Sequence, residues 1–418
     1  MSNSVMAVLY LIPNLAPCGD SAQLELILRS LDQMGSDSGF DGEIHIFTFP
    51  PLAEWERIRF ETGFRWLSVH IHLIRPYFLS DIFLQIFQHI RRFHIHPRAV
   101  HVWGDALTGV GLHISRLFKA QSIVSLRHIP SMCPPRKSTI RAFDYLLVNS
   151  AALQKYWEKA GYRGNWKIVR DQIADPEKNT AVHSSSEISF IHDGKNSLNE
   201  KISSETSCFP QNKSEFLAEL GLPEDSILAV CAGPVEAWKR WQWAVWSIDS
   251  VVRIHPEMHL LFLDPELNVP RQQQPKRDLA REMERRGVAR FVRQYERESI
   301  IHFIPRRHDI SRILPFMDFF WNPQSVPGSG LALLEAVAAG IPIISADFNG
   351  LEELLPEGTC ARVPVHHETT AIAAASHNLW EQTERKQEMK SKSYEILKNF
   401  FNSFDTMKIY LSFYLKWT

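Results

Sequence analysis

Short apolar runs, each closed by a polar loop and followed by a stretch of helical period, recur along this chain, and they restrict its fold more than any other feature. Met6 to Ile12 is the first run, and PNLAPCGD closes it. Leu24, Ile27, Leu28 and Leu31 then fall at i, i+3, i+4 and i+7, one helical face, with Asp20 placed to cap the helix. Further strands are predicted at EIHIFTF, WLSVHIHLI, AVHVW, SIVSL and YLLVNS. Among the helices between them, one gathers Phe78, Ile82, Phe83, Ile86, Phe87 and Ile90 on one side. Strands alternating with helices imply a parallel sheet wound on both faces.

The pattern breaks near residue 175. Up to residue 213 the chain is rich in Ser, Asn, Lys and Glu, without apolar period, as expected of a linker or long surface loop. It then restarts with strands at SILAVCA, MHLLFL, SIIHF, DFFWN, IPIISA and CARVPV. Helices are predicted on Trp241, Val245, Ile248 and Val252, over a basic stretch from 273 to 286, near Ile310 to Phe316, and at GLALLEAVAAG and GLEELL. Two or three more follow from His367 to Thr418. The expected architecture is therefore α/β: two doubly wound Rossmann-like domains facing a cleft, with C-terminal helices. Their bounds are 1–174, a linker at 175–213, 214–395, and helices at 396–418, for which packing back onto the N-terminal domain is one arrangement open. A length of 418 residues and 44% hydrophobic content suit two cores.

Charge and cysteine usage exclude several functions. With 46 basic and 47 acidic side chains the net charge is −1, which argues against nucleic acid as a partner. The arginines between Arg277 and Arg312 alternate with Asp278, Glu282, Glu284, Glu296 and Glu298, as on a solvated helix. Cys18, Cys133, Cys208, Cys231 and Cys360 are scattered and odd in number, so neither a disulfide framework nor a zinc site is expected. His94 with His96, and His366 with His367, lack further ligands at metal spacing, so no metal is assigned. MSNSV runs straight into MAVLYLI without a cationic segment, and no run of about 18 apolar residues occurs. A cytoplasmic location is the expectation, peripheral at the inner membrane face if the Phe78–Ile90 helix and Arg91 and Arg92 touch lipid.

DFFWNPQSVPGSGLALLEAVAAGIPIISADFNGLEELL is the most informative stretch. A strand ends in a loop, and Gly328, Ser329 and Gly330 open a helix whose free N–H groups attract an anion such as phosphate. Glu335 follows one and a half turns on, where its carboxylate can accept from a pair of sugar hydroxyls. An ordinary strand–loop–helix with a solvated glutamate is the alternative.

Within this stretch, PGSGLALLEAVAAGIPIISADFNGLEE resembles the nucleotide-sugar signature of retaining GT-B glycosyltransferases of family four (glycosyl transferases group 1), EGFGLxxLEAMAxGxPVVxxxxGGxxE. The resemblance implies that Glu335 binds the nucleotide ribose, that Gly328, Ser329 and Gly330 receive the diphosphate, and that Glu353 belongs to the same site. YLLVNSAALQKYWEKAGY resembles the family's end of the first, acceptor-side domain, and SILAVCAGPVEAWKRWQWAVWSI its opening of the second. Lys239, beside Arg240, then takes the place of a phosphate-binding lysine, or is a solvated loop cation. The family's first acid is here Pro327, its Gly-Gly loop is Cys18-Gly19, the arginine of its Gly-Arg pair is Pro234, and a later glycine-rich loop is Asp264-Pro265. His101 and His128, at strand ends, are candidates to orient or deprotonate an acceptor hydroxyl, with a satisfied strand-end histidine as the alternative for each.

The implied function is sugar transfer, with retention, from a UDP- or GDP-type nucleotide sugar to a glycan, lipid-linked or small-molecule acceptor, without a required cofactor. A silent nucleotide- or partner-binding relative, or a nucleotide-sugar isomerase or hydrolase of GT-B fold, are the competing readings.

Overall fold

The computed structural model describes residues 6–15, 19–35, 40, 42–50, 52, 54–62, 64–75, 78–130, 134–173, 210–263, 279–304, 310–365, 368–397 and 403–415. Cys18, Cys133, Cys208, Asp264, Pro265, His366, His367 and nearly all of the linker expected at 175–213 lie outside them.

Two parallel sheets form the framework. The first has seven strands, β1 (Met6–Leu11), β2 (Glu43–Thr48), β3 (Ser68–Leu73), β4 (His96–Trp103), β5 (Gln121–Ser125), β6 (Tyr145–Val148) and β7 (Trp166–Ile168), in the order β3-β2-β1-β4-β5-β6-β7. The second has six, β8 (Ile227–Ala232), β9 (Met258–Leu263), β10 (Ile301–Ile304), β11 (Phe319–Asn322), β12 (Ile343–Ala346) and β13 (Ala361–Val363), in the order β10-β9-β8-β11-β12-β13. Parallel pairing buries both faces of a central strand, which is why these strands read as continuous apolar runs. Ala7, Val8, Leu9, Tyr10 and Leu11 are all buried, alternate residues entering two cores on opposite sides of the sheet. The second sheet is divided in the same way. The short edge strand β7 was not legible as a strand in the sequence.

Helices cover the sheets as their apolar stripes require. Leu24, Ile27, Leu28 and Leu31 are buried on the helix Gly19–Met34, and Ile82, Ile86 and Ile90 on the helix Leu79–Arg92. The basic helix is described over Leu279–Gln294, running past the end expected at 286, while 273–278 lie outside the described residues; it is laced by Glu282 pairs to Arg285 and Arg286. The Asn212 side chain accepts from Glu215 N at 2.8 Å and caps the helix Lys213–Leu220.

Three helices end the chain. Glu368–Glu381 lies on the helix Trp241–Val251, and Thr383–Leu397 on the helix Leu331–Ala338. Ser403–Leu415 crosses to the first sheet, where Met407, Tyr410, Leu411, Phe413 and Tyr414 join the core containing Tyr10 and Trp103. A buried polar chain fixes it there: Tyr414 Oη lies 2.7 Å from Tyr10 Oη and 2.9 Å from His101 Nδ1, and His101 Nε2 lies 2.8 Å from Ser125 Oγ. Tyr414→Phe should orphan groups on both neighbours and cost about 1–3 kcal/mol of stability. Urea unfolding of the variant reads this, and an unchanged midpoint would show that the chain of hydroxyls does not hold the helix.

Candidate functional site

In each sheet the strand order reverses once, between β1 and β4 in the first and between β8 and β11 in the second. Loops leaving the carboxyl ends of strands diverge at such a point and open a crevice. In the second sheet the diverging loops carry Lys239 and the segment Pro327–Gly330. A groove lined by Ser115, Arg116, Lys119 and Asp144 lies at the opposite, amino-end edge of the first sheet.

Lys239 closes a short 3-10 turn, Ala237–Lys239. Its ammonium lies 4.9 Å from the Trp238 ring centre and 3.3 Å from Gln324 Oε1, which accepts from it. Burial lowers its pKa to about 8, against the pull of Glu236, Cys231 and Glu335. Burial likewise pushes the Glu335 carboxyl up to about 7, opposed by Lys239. The two residues, remote in sequence, are thus within Coulombic reach across the loop. Arg240 points elsewhere: its Nη1 donates to Val365 O at 2.7 Å and its guanidinium stacks on Trp243.

The helix Leu331–Ala338 begins at Gly330, with φ 69° and no side-chain cap. Among the described residues no hydrogen bond takes up the N–H of Ser329 or Gly330. Trp238 covers Gly328 so closely that a Cβ there would come within 2.8 Å of the indole. Pro327 is buried at the start of this loop, and Gly19 is the first residue of its helix.

Glu353 does not share in this site. Its carboxylate accepts from the amides of Ala151 and Ala152, both at 2.8 Å, and so caps a helix of the other domain, Ala151–Lys159. Gly350 permits that approach, since a Cβ at its φ of 97° would meet the Ala152 Cβ at 2.3 Å.

The two histidines separate. His101 is fully buried with both ring nitrogens engaged by Tyr414 and Ser125, and burial, with Arg127 nearby, lowers its pKa to about 3. It faces the core under the C-terminal helix; the satisfied-histidine alternative describes it, and a proton-accepting role in the cleft does not fit. His128 is about one-third exposed, 3.6 Å from Asp20 Oδ2, with its ring centre 6.3 Å from that of Trp238 in the other domain. Burial opposes its charge, but Asp20 and Glu236 outweigh burial and raise the pKa. It is therefore more often cationic near neutral pH than an ordinary histidine, which suits orienting an acceptor better than deprotonating one.

Several residues here carried no sequence signal. Arg127, only 4% exposed, pairs with Asp20 at 2.9 Å and Asp171 at 2.6 Å. Asn149 Nδ2 lies 3.1 Å from Asp171 Oδ2 and reaches the carbonyls of Gly328 and Ser329 across the cleft. Asp20, expected only as a cap, joins this network. These contacts link residues distant in sequence, where neither periodicity nor spacing applies.

With this geometry in view, known proteins offer comparisons. The model of the family described as glycosyl transferases group 1 matches residues 228–382, which contain Lys239, Gly328–Gly330 and Glu335. Anabaena HepE, solved with UDP and glucose, superposes with a TM-score of 0.69 over 97% of this chain and 98% of its own, at 14% identity. Sucrose-phosphate synthase from Thermosynechococcus elongatus gives 0.68 at 15% identity, over 98% of both chains. The chain has the GT-B fold. In sequence it is 23% identical over 236 residues to D-inositol 3-phosphate glycosyltransferase of Streptomyces scabiei, 56% of this chain and 45% of that protein. A shorter match, 29% over 65 residues, is to the lipopolysaccharide glucosyltransferase WaaG of Escherichia coli, 16% of this chain and 17% of WaaG. The matches thus span less than half the length of either curated relative.

The Lys239–Glu335 pair of this GT-B chain has a pH signature. The folded pKa of Glu335, about 7, lies above its ordinary 4.5. Between these values the native state holds a proton that the unfolded chain has released, so stability falls as pH rises through the window. Lys239, lowered from 10.5 to about 8, acts oppositely, raising stability as pH climbs from 8 to 10.5. Glu335→Gln should flatten the loss between pH 5 and 7 in urea titrations of the ligand-free protein. An unaltered pH profile would mean that Glu335 titrates as a solvated acid.

Proposed function

We propose that this chain transfers a sugar from a nucleoside-diphosphate sugar, of UDP or GDP type, to an acceptor hydroxyl in the cleft between the two sheets, with retention at the anomeric carbon. One observation carries the reading: a half-buried lysine and a half-buried glutamate lie within Coulombic reach of each other about a helix start with uncapped amides, at the switch point of the second sheet. The match to glycosyl transferases group 1 over the same residues supports it, as does the UDP-sugar bound by the fold neighbour HepE.

In this scheme the Glu335 carboxylate accepts from the two ribose hydroxyls. The amides opening the helix at Leu331 and the Lys239 ammonium receive the diphosphate. As the bond from the anomeric carbon to the diphosphate oxygen breaks, negative charge gathers on that oxygen, and prearranged donors stabilise it more than they stabilise the intact sugar nucleotide. The acceptor oxygen bonds to the same carbon and its proton leaves with the diphosphate or to water. His128, oriented by Asp20, holds the acceptor from the first domain; a glycan, a lipid-linked sugar or a small polyol meets that requirement. Pro327 contributes no carboxylate to the transferred sugar. That observation favours a second reading, in which the site binds nucleotide without turnover.

Calorimetry with UDP and GDP, beside uridine and guanosine, tests the site. Lys239→Ala should weaken diphosphate binding about tenfold to a hundredfold, the loss of a charge-assisted contact worth roughly 1.5–3 kcal/mol, and leave nucleoside binding nearly unchanged. Glu335→Ala should weaken both. Equal losses for Lys239→Ala would point to folding instead. Product formation with a panel of nucleotide sugars separates transfer from silent binding, and its anomeric configuration by NMR reads retention.

Peripheral contact with the inner membrane face belongs to the same proposal. Phe78 and Phe93, 78% and 55% exposed, flank the helix Leu79–Arg92, beside Arg91 and Arg92. Exposed aromatics next to cations suit an anionic lipid surface. The protein should float with vesicles containing phosphatidylglycerol and not with pure phosphatidylcholine, and Phe78→Ser with Phe93→Ser should reduce flotation. No flotation with anionic vesicles would remove the membrane from the proposal.

A further inference from the structure

Asn149 sits in the turn that joins β6 to the helix Ala151–Lys159, in the first domain, yet its side chain is committed to the second. Nδ2 lies 2.8 Å from Ser329 O, 3.2 Å from Gly328 O and 3.1 Å from Asp171 Oδ2. Three acceptors about one atom identify that atom as the nitrogen, since the amide oxygen would be repelled by all of them. Two protons thus serve three acceptors, and the amide oxygen, Oδ1, is buried without a partner. Leaving a buried acceptor unpaired costs about 1–3 kcal/mol. A residue retained for domain packing alone has little reason to carry that cost, because apolar contact would join the same surfaces without it.

The two carbonyls that Asn149 grips belong to consecutive peptide units. Each unit is planar and trans, so its C=O and the following N–H point in opposite directions. Holding Gly328 O fixes the direction of Ser329 N–H, and holding Ser329 O fixes that of Gly330 N–H. These are the two amides that no acceptor in the described residues engages. The loop also lacks a side-chain cap that could fix it from within, since Gly330 is the N-cap. Glycine on either side of Ser329 leaves both planes free to flip when nothing holds them.

We infer that Asn149 is a positioning residue for the diphosphate loop: from the opposite domain, it locks the Gly328–Ser329 and Ser329–Gly330 peptide planes so that their N–H groups are presented together to the diphosphate of the nucleotide sugar. This rests on the function proposed above. It also ties the anion site to domain closure, because the lock exists only while the β6 turn touches the loop. Asp171, which shares the Asn149 amide, is itself held by Arg127 at 2.6 Å, so the lock is braced from the first domain's buried charge network.

The test compares the wild type with Asn149→Ala and the isosteric Asn149→Asp, which has no N–H to donate. Calorimetry measures UDP and GDP against their nucleosides, and hydrogen exchange follows the segment containing Ser329 and Gly330 in the ligand-free proteins. The inference expects both variants to lose about tenfold or more in diphosphate affinity, with nucleoside affinity within about twofold of wild type, and faster exchange in that segment. Retained nucleoside binding shows that the variants are folded. Wild-type binding of diphosphate with unchanged affinity in both variants overturns the inference and leaves the proposed function standing. Parallel losses for diphosphate and nucleoside also overturn it, and mark Asn149 as a domain-packing residue. A wild type that binds no nucleotide defeats the proposed function, and the role of Asn149 at a diphosphate falls with it.

Discussion

Two helix starts meet across the cleft, and the difference between them organises the molecule. The first turn of any helix carries amide hydrogens with no partner inside the helix. At Ala151–Lys159 they are all taken: Glu353 receives those of Ala151 and Ala152, and the Ser150 side chain receives that of Leu153. At Leu331–Ala338 the cap is a glycine with nothing to offer. One start is therefore a structural joint, closed by a carboxylate from the opposite domain, and the other is left open to an outside anion. Both belong to the same contact, since the turn that carries Ser150 also carries Asn149, which holds the loop before the open start. Joint and site cannot be separated without moving one domain.

Buried charge braces this contact from below. Arg127 lies between Asp20 and Asp171 with its guanidinium on the Trp103 ring. Breaking one half of such an arrangement strands a charge in a poorly hydrated place, which is far costlier than replacing the whole. The network thus gains directional rigidity more than net stability, and rigidity is what a contact made of a few hydrogen bonds lacks. Tyr410, on the helix that returns from the end of the chain, senses both Arg127 and Asp171 electrostatically. The C-terminal helix therefore packs against the same charged group that steadies the cleft.

How far the sequence discloses this depends on the range of each interaction. Alternation of apolar runs with helical periods is local, and it marks twelve of the thirteen strands among the described residues to within a few residues; the three-residue edge strand Trp166–Ile168 has too little apolar pattern to register. As candidates, Gly328–Gly330 and Glu335 are legible because a strand, a loop and a helix start leave a contiguous signature, and Lys239 because it follows the strand that reopens the alternation. Glu353 lies within that signature, yet its carboxylate reaches amides of the other domain, which the signature does not encode. His101 and His128 looked alike as strand-end histidines, and only the aromatic helix folded over His101 distinguishes them. Arg127, Asn149 and Asp171 meet residues far away in the chain, and no spacing encodes such a meeting.

Pro327 brings these points together. An acid at this position would stand next to Gly328, which Trp238 crowds, in the loop that leads to Glu335, whose own carboxyl burial has pushed up to about 7. Proline imposes no charge, lacks only an N–H that a loop ahead of a helix seldom needs, and stiffens the approach to two flexible glycines. On the proposed function, the loop keeps amides free for a diphosphate while lacking a group that would touch the transferred sugar. Affinity for a diphosphate and discrimination among sugars are, on the same proposal, decoupled in this cleft. The first would rest on backbone amides, Lys239 and the grip of Asn149, none of which uses the side chain at 327. The second would fall to other side chains of the cleft, while His128, braced by Asp20, stands opposite Trp238 on the acceptor side.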